Sequence, residues 1–258
     1  MKGVVALLGL VVSLPAVAGD FPTFAGPAMG TTYRVTLARD VPGMSLGEVH
    51  REVERVLARV DLSLSTWRPD SDASRFNEAQ PGEWIDVAPD LIAVVAIARR
   101  VHEETQGAFD ITAGAGLVGR MPEVEARTTP PAMRKKIAGL RLELGGIGPG
   151  YAVDQIGGRL QELGSTDHLV ELGGEVRAWG ERAAGEPWRV VLRHTGENVC
   201  LAAGEALATS TARPSRSPID PRTGRVVAPA VPIATVRAPT CAEADAHAVA
   251  MLVGQREP

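Results

Sequence analysis

Residues 144–150 read Leu-Gly-Gly-Ile-Gly-Pro-Gly, and Tyr151 then opens a helical pattern. A glycine-rich turn feeding a helix leaves main-chain N–H groups free to meet phosphate oxygens. The same run also serves as a plain tight connection. Three acids stand beside glycines or helix starts: Asp110 in GAFDIT, Asp220 in IDPRTG and Asp245 early in the last helix. Each has a structural reading, because an acid in a first helical turn offsets the dipole and Asp-Pro forms turns. His50, His102, His168, His194 and His247 do not pair at metal-ligand spacing. The chain has no G-x-S-x-G elbow and no P-loop lysine. Cys200 and Cys241 could pair in an oxidising compartment or stand as two small buried residues.

The elements that must position these groups follow from periodicity. Thr32 to Ala38 alternates and predicts a strand. Ser45 with Glu48 forms a capping box before Val49, Val53, Val56, Leu57 and Val60 at helical spacing. A second helix is expected from Pro89 to Gly107, and a third from Tyr151 to Leu163 with Gly164 as terminator. His168–Leu172, Glu175–Trp179 and Trp188–Leu192 read as successive antiparallel strands. Cys200–Ala203, Leu207–Thr209 and Ile233–Ala238 add more. Thr240 and Glu243 make another capping box for a helix ending near Val253. Strand hairpins among a few long helices predict an α+β fold, antiparallel sheets with packed helices. Thr128 to Pro131 reads as a polar connector at a lobe boundary.

The bulk numbers bound the partners. A net charge of −4 over 258 residues argues against broad phosphate neutralisation on nucleic acid. An anionic ligand would then need main-chain N–H groups or a metal. Lys2, the apolar run Val4–Val12 and Ala16-Val17-Ala18 predict a signal peptide over residues 1–18. A buried N-terminal strand is the alternative. No segment reads as an integral membrane span. The mature chain, 19–258, is expected to be a single domain or two lobes divided near residues 118–140, exported to the periplasm.

In motif order the chain resembles the ApbE family of FAD:protein FMN transferases. The matching segments are Met29-Gly30-Thr31, LSTWRPDSDASRFN from Leu64, GAFDIT from Gly107, and LGGIGPGYAVD from Leu144. VELGGEVRAWG from Val170, ALATS from Ala206, IDPRTG from Ile219 and APTCAEADA from Ala238 complete the series. The resemblance implies an ApbE-like, T-fold-related architecture. It implies FAD as substrate, Mg²⁺ as cofactor, and transfer of FMN to a threonine of a periplasmic flavoprotein with release of AMP. It puts Met29, Ser65, Thr66 and Trp67 on the flavin or adenine site, and Asp110 and Thr112 on polar parts of FAD. Gly146, Gly148, Gly150 and Asp154 are expected on the cofactor. A main-chain carbonyl near Gly148 and the carboxylate of Asp245 are expected on the metal, with Asp245 also the catalytic residue.

The chain departs from the family pattern at three side chains. Pro149 stands where the family has lysine, Ser217 where it has histidine, and Val249 where many relatives place a threonine one turn after the metal aspartate. The connectors 112–144 and 210–220 are also shorter than usual. Besides an active transferase, the sequence therefore leaves open a non-catalytic FAD-binding scaffold and an FAD pyrophosphatase.

Overall fold

The computed structural model describes residues 21–114, 118–212, 217–229 and 231–254. The expected signal peptide, residues 1–18, lies outside them. β1 (Thr23–Ala28) and β2 (Thr31–Leu37) form a hairpin closed by Met29-Gly30, both with positive φ, the backbone that a two-residue turn demands. Tyr33, Val35 and Leu37 are buried on alternate positions, as the sequence pattern requires. α1 (Leu46–Leu64) starts at the expected Ser45–Glu48 capping box and buries Val49, Val53, Val56, Leu57 and Val60. α2 (Asp72–Glu78), β3 (Ile85–Asp86) and α3 (Pro89–Glu104) follow. α3 ends three residues short of Gly107, whose N–H turns back to the His102 carbonyl.

A 3-10 turn at Met121–Glu123 leads into β4 (Val124–Thr128) and β5 (Pro131–Lys135). These join β3 in a small sheet of order β3-β5-β4. Thr128 to Pro131, read as a connector, is the turn of this hairpin. α4 (Gly148–Glu162) begins three residues before the expected Tyr151, since Pro149 fits a helix's first turn. β6 (His168–Leu172) and β7 (Glu175–Trp179) pair around Gly173-Gly174. β8 (Trp188–Val191) pairs with β9 (Asn198–Leu201), not with β7. β10 (Ala206–Thr211), the short pair β11 (Ile219–Asp220) and β12 (Arg225–Val226), β13 (Ile233–Ala238) and α5 (Cys241–Gly254) complete the chain.

The main sheet runs β1-β2-β6-β7-β10-β13, antiparallel throughout. Its two faces bury different partners. Val170, Leu172 and Ala208 join the large core under α4 and α5. Leu169, Val176 and Leu207 point the other way and are covered by Trp188, Val190, Val199 and Leu201 of the β8–β9 hairpin. That hairpin leaves the sheet because its own apolar face, set by Trp188 and Val190, needs a surface to bury on. The result is the α+β class that the sequence predicts. Among the described residues no helix is long and apolar enough to cross a membrane. Cys200 is exposed on β9 and Cys241 is buried at the start of α5, and both are free thiols.

Candidate functional site

A cleft of about 1540 Å³ opens where the ends of α1, α4 and α5 meet the β6–β7 turn. Met29 reaches it from the β1–β2 turn and comes close to Gly148: a Cβ on that glycine would lie 3.4 Å from the Met29 methyl carbon. Ser65, Thr66 and Trp67 form the lip after α1. The Ser65 hydroxyl accepts the N–H groups of Trp67 (3.3 Å) and Arg68 (3.2 Å), which stiffens this corner. Trp67 then stands 94% exposed, an aromatic face held out at the rim.

Asp110 lies at the cleft wall with its side chain fully buried, and the protein itself takes up its lone pairs. Its Oδ1 accepts from the Thr112 N–H (2.8 Å) and hydroxyl (2.6 Å), and Oδ2 from the Met121 N–H (3.3 Å). Thr112 in turn accepts the Arg120 N–H at 2.6 Å. Thr112 does not line the cleft. It braces Asp110, and its hydroxyl, expected on a polar part of the cofactor, is committed to the loop.

The glycine turn also differs from its reading. The N–H groups of Ile147 and Gly148 go to the Leu144 carbonyl, Pro149 has none, and Tyr151 bonds Ile147. Gly150 donates to Asp245 Oδ2 at 3.2 Å. The first turn of α4 is therefore spent internally. Among the described residues, the N–H groups of Leu144, Gly145 and Gly146 and the carbonyls of Gly145 and Gly146, just before the helix, have no main-chain partner. Gly148 opens the helix, so its carbonyl runs along the axis toward the next turn. Gly148, whose carbonyl is expected on the metal, lines the cleft beside Gly145 and Gly146. Gly146 and Gly148 do line the cleft, whereas Gly150 does not. A Cβ on Gly150 would sit 2.4 Å from the Cys241 carbonyl, so this glycine exists to bring α4 against α5.

Asp154, expected on the cofactor, is turned toward α5. Its Oδ1 accepts the Cys241 N–H (2.9 Å) and the Arg177 guanidinium (2.6 Å), and Oδ2 the Ala242 N–H (2.9 Å). It caps α5 from a neighbouring helix and never reaches the cleft. That cap and the Gly150 contact fix where Asp245, one turn further on, emerges. Asp245 is 4% exposed and lines the same cleft as Gly148. Its carboxyl is held above the usual range by burial, against the pull of the Gly150 N–H.

Two further acids that line the cleft, Glu175 near Asp245 and Glu171 on the other face of the sheet, escaped the sequence reading. Glu175 is raised well above the ordinary carboxyl value by burial and then by Asp245. Glu171 is pushed up to about 7 by burial, opposed by Arg34 and Arg193, and its Oε2 has no hydrogen-bond partner. The signal was there: VELGGEV puts two acids on apolar strands around a tight turn, and burying a carboxylate is costly without a purpose. Val249 lies on α5 beside Gly146, its methyl 2.8 Å from a Cβ built there, and adds no oxygen. Among the described residues no group of three or more His, Cys, Asp or Glu is arranged to hold a metal. Among the described residues one oxygen of Asp245 takes a hydrogen bond, and Glu175 lies near enough that the Asp245 charge raises its pKa, a cost that a bound cation would relieve. These residues fit a hard divalent ion that keeps most of its waters.

The sequence matches the ApbE family over residues 29–257. It is 29% identical to the FAD:protein FMN transferase of Haemophilus influenzae, spanning 90% of this chain and 80% of that one. It is 30% identical to the enzyme of the same name from Vibrio cholerae, spanning 89% and 80%. The flavin transferase ApbE from Vibrio cholerae superposes with a TM-score of 0.79 at 29% identity, covering 90% of this chain and 86% of that one. The apo flavinyl transferase ApbE of Pseudomonas stutzeri gives 0.81 at 28%, covering 90% and 83%.

Proposed function

The chain belongs to the ApbE family, and from that premise we propose that it moves the FMN half of FAD onto a threonine of a target flavoprotein. The observation that carries the reading is the junction in the cleft, where Asp245 is bonded to the N–H of Gly150 beside the unspent main-chain groups of Gly145 and Gly146. That is a place for bridging phosphates and a cation. In the reaction the threonine oxygen bonds to the FMN phosphorus, the bridging P–O bond breaks, and AMP departs with the bond's electrons. The hydroxyl proton passes to a base or to water. Magnesium, when bound by Asp245 and a main-chain oxygen of the glycine turn, would neutralise charge on the pyrophosphate.

This chain's own residues supply orientation. Trp67 offers a stacking face for an aromatic ring at the rim. Asp110, locked by Thr112, shapes the wall, and Met29 closes over the helix start. With Pro149 in place of a lysine, neutralisation falls on the cation and the N–H groups of Gly145 and Gly146. The protein works after export to the periplasm, where its acceptor is another exported flavoprotein.

The test is direct. Purified mature protein is mixed with FAD, Mg²⁺ and a threonine-bearing acceptor domain, and the acceptor is weighed by mass spectrometry. Covalent FMN together with AMP is the expected result. AMP and free FMN without modified acceptor would instead mean a pyrophosphatase. Val249 packed on Gly146 favours a second reading, an FAD-binding scaffold, because an apolar side chain stands at the metal side of the cleft. FAD binding with neither product would establish it.

A further inference from the structure

The cleft is larger than the roughly 300–1,000 Å³ that a single small ligand occupies, and it continues past the Gly173-Gly174 turn onto the other face of the sheet. There its floor is Glu171, Thr209 and Thr211, and its roof is the segment 190–194 that ends β8. Asp245 and the glycine turn stand on the helix-covered face. Two features of this second limb ask for an occupant. The first is Glu171, 5% exposed, lining the cleft with Oε2 unbonded. The second is a strand edge left open among the described residues. The Ala212 N–H bonds the Pro232 carbonyl, so even-numbered residues of β10 bond β13 and odd-numbered ones face β7. β7 pairs with β10 only at Ala206 and Leu207. Gly174 closes on the Thr209 carbonyl, a Cβ there lying 3.3 Å from it, and beyond that point Thr211 presents its N–H and carbonyl to the limb.

We infer that this limb is the docking channel for the acceptor polypeptide, which lies extended against the Thr211 edge of β10 and donates a hydrogen bond to Glu171. An exposed strand edge recognises extended main chain, and a buried carboxylate recognises N–H or O–H donors. The channel leads over the Gly173-Gly174 turn to the phosphate side, which brings a hydroxyl toward the reacting phosphorus from the face opposite the helices. The inference rests on the transferase reading for the identity of the occupant.

The experiment uses the full mature protein with FAD and Mg²⁺, and a fluorescent acceptor domain whose target threonine is changed to valine, so that binding is read without turnover. Glu171→Gln removes the charged acceptor, and Thr211→Pro deletes an N–H that β13 does not use. Each variant is expected to bind the acceptor domain about tenfold more weakly, with FAD affinity unchanged. Equal acceptor binding by wild type and both variants overturns the channel. So does a parallel loss of FAD affinity, which would make Glu171 part of the dinucleotide site, or no acceptor binding by the wild type. Variant-sensitive binding without any FMN transfer by wild type to the intact acceptor would keep the channel and sink the transferase reading.

Discussion

Asp245 receives one N–H, from Gly150, and shares its buried surroundings with Glu175. An acid so placed is useful only with a positive partner. Asp245→Asn keeps the shape and the Gly150 bond and is expected to cut Mg²⁺-dependent AMP release by about a hundredfold or more, on the scale of losing one charge-stabilising group. Chromatography of AMP against Mg²⁺ concentration checks this, and unchanged turnover would remove Asp245 from the site. A second residue-scale prediction concerns His168, which stacks on Trp179 at 4.8 Å and bonds Ser165. Burial pushes its pKa down from 6.5 to about 4. The unfolded chain therefore binds more protons between those values, so the stability is complete above pH 6.5 and lost as pH falls toward 4. Between pH 7 and pH 5 the wild type should lose about 2 kcal/mol more than His168→Phe, which keeps the stack without the titration. Urea midpoints at the two pH values measure it, and parallel losses would refute it.

At the scale of elements, the α4–α5 contact decides where the site is. Gly150 admits the Cys241 carbonyl, and Asp154 on α4 caps the first N–H groups of α5. Asp154→Ala strands Arg177 and two main-chain donors, and should cost about 2–4 kcal/mol of stability. Gly150→Ala forces the helices apart and should cost about 1–3 kcal/mol. Denaturant unfolding checks both. FAD affinity of the refolded Gly150→Ala protein should fall as well, because Asp245 moves with α5. The β8–β9 hairpin is the other decisive element. By covering the far face of the sheet with Trp188 and Val190, it turns a flat surface into the second limb of the cleft.

For the whole molecule, a ligand that bridges α1, α4, α5 and the β6–β7 turn must stabilise the native state by mass action. FAD at about a hundred times its Kd should add about 2.7 kcal/mol, a rise in Tm of roughly 5–10 °C for a chain of this size. EDTA should remove part of that rise if magnesium helps to hold FAD, and a shift indifferent to EDTA would count against the metal. The sequence by itself determined the α+β class, the capped helices α1 and α5, five of the six strands of the main sheet (β1 went unread) and the motif order from Met29 to Asp245, because periodicity, caps and turn glycines act locally along the chain. It also placed Met29, Trp67, Gly146, Gly148 and Asp245, which the fold gathers around one cleft. Only the tertiary structure decided that Thr112, Gly150 and Asp154 serve as braces, that the first-turn N–H groups of α4 are spent, and that Glu171 and Glu175 come to line the cleft. Those facts depend on which hydrogen-bonding groups meet across distant segments: residue 154 with 241, 150 with 245, 112 with 120. Local pattern carries no information about such pairings, since a donor's partner is chosen by packing.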